Sequence, residues 1–169
     1  MAESFLINDA LTDEGKYQLL LESMEELIDT ENYILTNLSN FTAILKQTFD
    51  KISWIGFYIF DGKELVLGPF QGKVACTRIE IGKGVCGKSV KEKRTIVVDD
   101  VNQYPGRIAC DSESKSEIVI PLIKENKIFG VLDIDSYNYN SFSEIDKSYL
   151  EKICISLLNK IHTDKFIIS

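Results

Sequence analysis

The residues best able to do chemistry in this chain of 169 residues are four cysteines, at positions 76, 86, 110 and 154. None forms a CxxC pair, and the only histidine is His162, so the close ligand pairs of a structural zinc site are missing. A single histidine, placed near the C-terminus and read as exposed, also argues against Cys–His hydrolase chemistry. Cys110 sits in the polar stretch Gln103-Tyr104-Pro105-Gly106-Arg107-Ile108-Ala109-Cys110-Asp111. Structural cysteines favour apolar strands and helices, so a loop cysteine near Arg107 reads as a reactive thiol or as an incidental loop residue. Cys86 follows Gly82-Lys83-Gly84-Val85 and opens a short helix, where the helix N-terminus would stabilise a thiolate. A small packing residue beside glycines is the alternative there. Cys76 stands at the start of a short strand and is ambiguous. Cys154, between Ile153 and Ile155, reads as core.

Carboxylates form a second group. Asp133 and Asp135 are two residues apart in an apolar strand, so both side chains face one side of the sheet. Two like charges on such a face are costly. Either they lie at a solvated strand end, or they hold a cation or share a proton. Glu117 opens the partner strand and is placed to join them. Trp54 and Tyr58 are four apart on an earlier strand and also share a face, as core aromatics or as a pocket wall.

The elements that must position these residues follow from periodicity. Thr12-Asp13-Glu14 starts a helix with apolar positions Tyr17, Leu20, Leu21, Met24, Leu27 and Ile28, and a second helix spans 31–49. The period then changes to strands at 53–60 and 64–68, joined by Asp61-Gly62. A short strand from Cys76 to Ile79, a helix over 85–90 and a strand over 95–98 follow. Residues 99–116 are polar and loop-like, and 117–123 with 128–135 form a hairpin, Pro121 marking an edge or a bulge. Ser143 caps a last helix whose buried stripe is Ile145, Tyr149, Ile153, Leu157 and Ile161. Helices flanking hairpins imply an α+β fold with a central, mostly antiparallel sheet and N- and C-terminal helices packed on it. The absence of repeats or linkers makes one domain over residues 1–169 the economical reading.

Composition narrows the function classes. A net charge of -7 disfavours nucleic acid and anionic membrane surfaces as partners. There is no apolar run long enough to span a bilayer and no secretion signal at the N-terminus, so a cytoplasmic chain is expected, where thiols stay reduced.

These residues carry a family resemblance. The chain is similar to the free methionine-(R)-sulfoxide reductases, which are GAF-domain enzymes. The similarity rests on Trp54-Ile55-Gly56-Phe57-Tyr58, Leu67-Gly68-Pro69-Phe70-Gln71-Gly72, Gly82-Lys83-Gly84-Val85-Cys86-Gly87, Asp99-Asp100-Val101, the loop ending in Cys110 with Ser114-Lys115-Ser116-Glu117, and Val131-Leu132-Asp133-Ile134-Asp135-Ser136. It runs from the first helix to Cys154. The resemblance implies a GAF domain in which Cys110 is the nucleophile, Cys86 the resolving thiol and Cys76 a third cysteine able to join the exchange. It implies that Trp54 and Tyr58 line the pocket around the methyl and thioether end of the substrate. Glu117, Asp133 and Asp135 then bind the substrate and assist proton transfer. No bound cofactor or metal is implied. The implied partners are free methionine sulfoxide, a thioredoxin-type reductant as electron donor, and a second copy in a homodimer.

That chemistry suits the parts. A thiolate attacks the sulfoxide sulfur, a raised-pKa acid protonates the oxygen, and the cysteine becomes a sulfenic acid that condenses to a disulfide. Two other classes are a GAF module binding a cyclic nucleotide or other small ligand, and a disulfide-forming sensor. Turnover with a reductant separates the enzyme from both.

Overall fold

The computed structural model describes residues 11–28, 33–108 and 110–161; His162 and the N-terminal decapeptide lie outside them. Helix α1, Asp13–Glu22, begins where the Thr12 hydroxyl accepts the Gly15 N–H at 3.2 Å. The helix expected to continue to Ile28 breaks at Ser23, whose hydroxyl donates back to the Leu19 carbonyl at 2.8 Å. One further turn, α2, Met24–Leu27, restores the stripe, and Tyr17, Leu20, Met24 and Ile28 are all buried. Helix α3 is Ile34–Thr48; the expected start at Glu31 lies outside the described residues.

Strands β1, Trp54–Phe60, and β2, Glu64–Gln71, form the first hairpin. The Asp61 carboxylate accepts the Lys63 and Glu64 N–H groups at 2.9 Å, which fixes the turn. β2 runs on past Gly68, through Pro69, to Gln71. β3, Arg78–Glu80, starts later than expected and leaves Cys76 in the preceding loop. Helix α4, Gly84–Glu92, β4, Ile96–Val98, and a 3-10 turn over Val101–Gln103 follow. β5, Ser116–Lys124, and β6, Lys127–Ser136, form the long hairpin. Helix α5, Glu144–Lys160, opens with a capping box between Ser143 and Asp146.

The six strands form one antiparallel sheet in the order β3-β2-β1-β6-β5-β4. Pro121 pairs with Val131 on β6 and lies beyond the reach of β4, where β5 is itself the edge, so no ladder donor is missed. One face carries Ile55, Phe57, Ile59, Ile118, Ile120, Leu132 and Ile134 against α1, α3 and α5. Cys154 is buried there, as the sequence implies, and Leu150 and Leu158 join Ile153 and Leu157. Ile145, expected in the same stripe, is 46% exposed, because the helix entry turns it outward. The α4 side of the sheet holds a second cluster with Trp54, Tyr58, Val85, Cys86, Val90, Val119 and Val131.

Candidate active site

Strand register assembles the site. The β1–β6 ladder sets Trp54 opposite Asp135 and Gly56 opposite Asp133. The β5–β6 ladder sets Glu117 opposite Asp135 and Val119 opposite Asp133. Directly opposed residues share a face, and so do residues two apart. Trp54, Gly56, Tyr58, Asp133, Asp135 and Glu117 therefore all belong to the face under α4.

Helix α4 lies on that face. At its start a Cβ on Gly87 would stand 2.2 Å from the Glu80 carbonyl oxygen, so only glycine permits the close approach to the end of β3. Cys86 sits over the acids: ligand atoms of Cys86, Glu117 and Asp133 lie within 4.8 Å of one another. On the other side, the Trp54 ring stacks on Phe70 at 5.6 Å and donates its N–H to the Lys73 carbonyl at 2.9 Å. The Tyr58 hydroxyl donates to the Cys76 carbonyl at 3.0 Å.

The loop after the 3-10 turn covers the mouth. Cys110 is exposed and disulfide-bonded to Cys76, with their Cα atoms 5.4 Å apart across a sequence separation of 34. Polar contacts tie the same two segments. Lys73 pairs with Glu113 and lies 3.6 Å from Asp111, and the Tyr137 hydroxyl donates to Asp111 at 3.0 Å. The Arg107 guanidinium donates to Asn102 at 2.6 Å and to the Asp111 and Ser114 carbonyls at 3.1 and 3.3 Å. Two clefts flank Cys110. One runs between Trp54, Tyr58, Ala75 and Asp135; the other between Arg107, Ser114, Glu117 and Asp135. A wider, open groove lies elsewhere, beside β4 and Tyr104, and no cysteine lines it.

Burial governs the electrostatics. It raises the Asp133 carboxyl to about 6, against an ordinary 3.8. Burial, and then the Asp133 charge, push both Glu117 and Asp135 well up. Arg107 pulls the other way on Glu117 and Asp135, but more weakly. Three crowded, desolvated carboxyl groups do not all ionise near neutral pH, so the floor of the pocket holds at least one transferable proton.

The structure thus brings together all the residues singled out: Trp54, Tyr58, Glu117, Asp133 and Asp135 on one face, Cys86 above them, and Cys76 with Cys110 at the rim. Two local expectations change. Cys86 is the third residue of α4, yet burial and the neighbouring Asp133 charge raise its thiol, so the helix end does not make it a thiolate. Arg107 turns its guanidinium to Asn102 and two carbonyls, while Cys110 is bonded to Cys76 and Cys86 remains a thiol. Lys73 and Tyr137 were not singled out from sequence, and Gly56 and Gly87 stood there only as members of the motifs that carry the resemblance.

Comparisons with known proteins agree with this arrangement. A GAF domain family model matches residues 38–154. GAF domain-containing protein A of Dictyostelium discoideum is 51% identical over 90% of this chain and 96% of its own. Free methionine-R-sulfoxide reductase of Saccharomyces cerevisiae is 46% identical over 89% of this chain and 87% of its own. Among solved structures, free methionine-R-sulfoxide reductase of Neisseria meningitidis in complex with its substrate matches with a TM-score of 0.86 and 41% identity, covering 92% of this chain and 93% of that one. With matches of this identity spanning nearly all of both partners, the chain belongs to the GAF-domain family of free methionine-R-sulfoxide reductases.

Proposed function

We propose that this chain reduces free L-methionine (R)-sulfoxide to L-methionine. The observation that carries the reading is the Cys76–Cys110 disulfide at the rim of a pocket floored by Glu117, Asp133 and Asp135. The activity of its relatives in Saccharomyces cerevisiae and Neisseria meningitidis, free methionine-R-sulfoxide reduction, supplies the substrate.

The Cys110 thiolate attacks the sulfoxide sulfur while a protonated acid on the floor donates to the oxygen. Methionine leaves, and Cys110 carries the oxygen as a sulfenic acid. A second thiol displaces it as water and a disulfide forms. The bond present here supports Cys76 as the resolving thiol, while Cys86, the residue the resemblance assigns to that step, keeps its thiol. Two electrons and two protons from a thioredoxin-type dithiol then restore Cys76 and Cys110. No bound cofactor is needed.

Trp54 and Tyr58 supply the apolar wall for the methyl and thioether end. The substrate is a zwitterion. Its ammonium suits the acids, and Arg107, which lines the cleft beside Glu117 and Asp135, suits its carboxylate. A peptide-bound residue lacks both charges, which accounts for the preference for the free amino acid.

A reducing, cytoplasmic setting fits a catalytic disulfide. No helix among the described residues is long and apolar enough to cross a membrane. Leu11, Leu19, Tyr33 and Leu35 are exposed near α1 and α3, which supports a homodimer through these helices; light scattering of the purified protein tests it.

The deciding assay incubates the protein with dithiothreitol and the R or S epimer of free methionine sulfoxide, beside Cys110→Ser. Methionine from the R epimer alone, lost in Cys110→Ser, is expected. No release from thiol-reduced protein would sink the reading in favour of a ligand-binding module.

A further inference from the structure

We infer that Cys86, Glu117 and Asp133 form a binding site for a borderline-soft divalent cation such as zinc. One thiol sulfur and two carboxylate oxygens from three different elements, α4, β5 and β6, converge within 4.8 Å of one another. Contraction by about an ångström brings them to the spacing of three ligands around zinc, whose bonds run about 2.0 to 2.3 Å. Water completes a tetrahedron.

A second observation points to an electrophile at this spot. Asp133 is only 7% exposed; its Oδ1 accepts no N–H or O–H at hydrogen-bond distance among the described residues, and the side chains that face its carboxyl are those of Cys86 and Glu117. An orphaned, buried carboxylate oxygen costs free energy comparable to a lost hydrogen bond, and a cation removes that cost. The neighbouring cation, Arg107, does not satisfy it, because its donors go to Asn102, Asp111 and Ser114.

The donor set decides the metal. A thiolate selects zinc, cobalt or cadmium over magnesium and calcium, which prefer all-oxygen shells. Binding replaces protons: the Cys86 thiol and the protonated acids give theirs up to solvent as the cation enters, so affinity rises with pH. The site is complete with the rim oxidised, because Cys86 keeps its thiol while Cys76 and Cys110 are bonded to each other. A cation here neutralises the pocket floor, so zinc acts as a reversible inhibitor of the proposed reduction. That consequence rests on the functional reading above; the metal site itself does not.

The test uses the oxidised protein without reductant, so that Cys76 and Cys110 cannot ligate. Cobalt(II) is titrated in a non-chelating buffer, and the near-ultraviolet thiolate-to-cobalt charge-transfer band is followed. One equivalent is expected to produce the band, zinc to displace it, and Cys154→Ser to leave it unchanged. Cys86→Ser abolishes it. Glu117→Gln serves as a second variant that needs no change in the helix. It is expected to weaken cobalt binding about tenfold or more, since even outer partners of metal ligands are worth that much. No band, a band that survives Cys86→Ser, unchanged affinity in Glu117→Gln, or equal thermal protection by magnesium or calcium would each overturn the assignment.

Discussion

Asp133 stands directly opposite Gly56 in the β1–β6 ladder, so the strand beside this buried acid presents no side chain to it. The Trp54 ring fills that place: a Cβ on Gly56 would lie 2.3 Å from the indole and 2.7 Å from the Phe70 Cβ. Gly56→Ala therefore has to displace the pocket wall. We expect a loss of about 1–3 kcal/mol in stability, typical of overpacking, with a larger fractional loss of kcat/KM. Thermal unfolding and the methionine-release assay on the same preparation check this. Full activity with an unchanged Tm would mean the ring is not held as described.

The acids on the floor make stability depend on pH with a definite sign. Asp133 has a folded-state value of about 6 against an ordinary 3.8, because burial disfavours its charge. Below the unfolded value the group costs nothing; as pH rises through the folded value, the native state bears an ionised, desolvated carboxylate. Asp133→Asn removes that term. Relative to the wild type, the variant should gain up to about 3 kcal/mol between pH 4 and pH 7, at about 1.4 kcal/mol per unit. Denaturant unfolding at the two pH values measures it, and a difference that stays flat with pH would contradict the buried acid.

Removing the thiol that meets Cys110 should trap the oxidised intermediate. In Cys76→Ser, one turnover with substrate is expected to leave a sulfenic acid on Cys110, detected as a dimedone adduct by mass spectrometry. Steady-state turnover with a thioredoxin-type dithiol should fall by about tenfold or more, while the first methionine is released at the normal rate. If Cys76→Ser instead forms a Cys86–Cys110 bond at an undiminished rate, Cys86 is the resolving thiol.

The proposed recognition of the free carboxylate by Arg107 predicts a split between binding and chemistry. Charge-assisted hydrogen bonds contribute about 1.5–3 kcal/mol, so Arg107→Gln should raise KM by about ten- to a hundredfold with little change in kcat. Methionine sulfoxide amide, which lacks the carboxylate, should be a poor substrate for the wild type and lose nothing further in the variant. An equal loss on both substrates would make Arg107 a loop anchor through Asn102, Asp111 and Ser114 only.

A network far from the pocket holds α1, α5 and the β1 entry together. Asp146 accepts from the Tyr17 hydroxyl at 2.9 Å, pairs with Lys51 at 2.5 Å and caps α5 through Ser143. Burial pushes its carboxyl up, but Lys51 and the Ser143 N–H outweigh that and hold it below the ordinary 3.8. Its contribution is therefore complete above that value and is lost as pH falls through the folded one. Asp146→Ala should cost about 3 kcal/mol at pH 7, or roughly 6–12 °C in Tm, and distinctly less near pH 3. A cost that does not shrink in acid would mean the loss is of packing, not charge.

Much of this protein is legible locally. The three-to-four spacing of Tyr17, Leu20, Met24 and Ile28 marks the buried helix stripe, although Ser23 interrupts it by bonding back to Leu19. The two-residue spacing of Asp133 and Asp135 puts both acids on one face, and the four-residue spacing of Trp54 and Tyr58 does the same. Such patterns follow from the geometry of a single helix or strand and need only a few neighbouring residues.

What the tertiary structure alone decides is which faces meet and which loop closes on which. That Glu117, Asp135 and Trp54 lie in one row depends on the registers of two ladders. That Cys86 sits among the acids depends on α4 packing over β5 and β6. That Cys110 meets Cys76 and not Cys86 depends on a loop closed over 34 residues. The side chains' types and periods are local, whereas these distances are the summed result of contacts made by residues far apart in the chain.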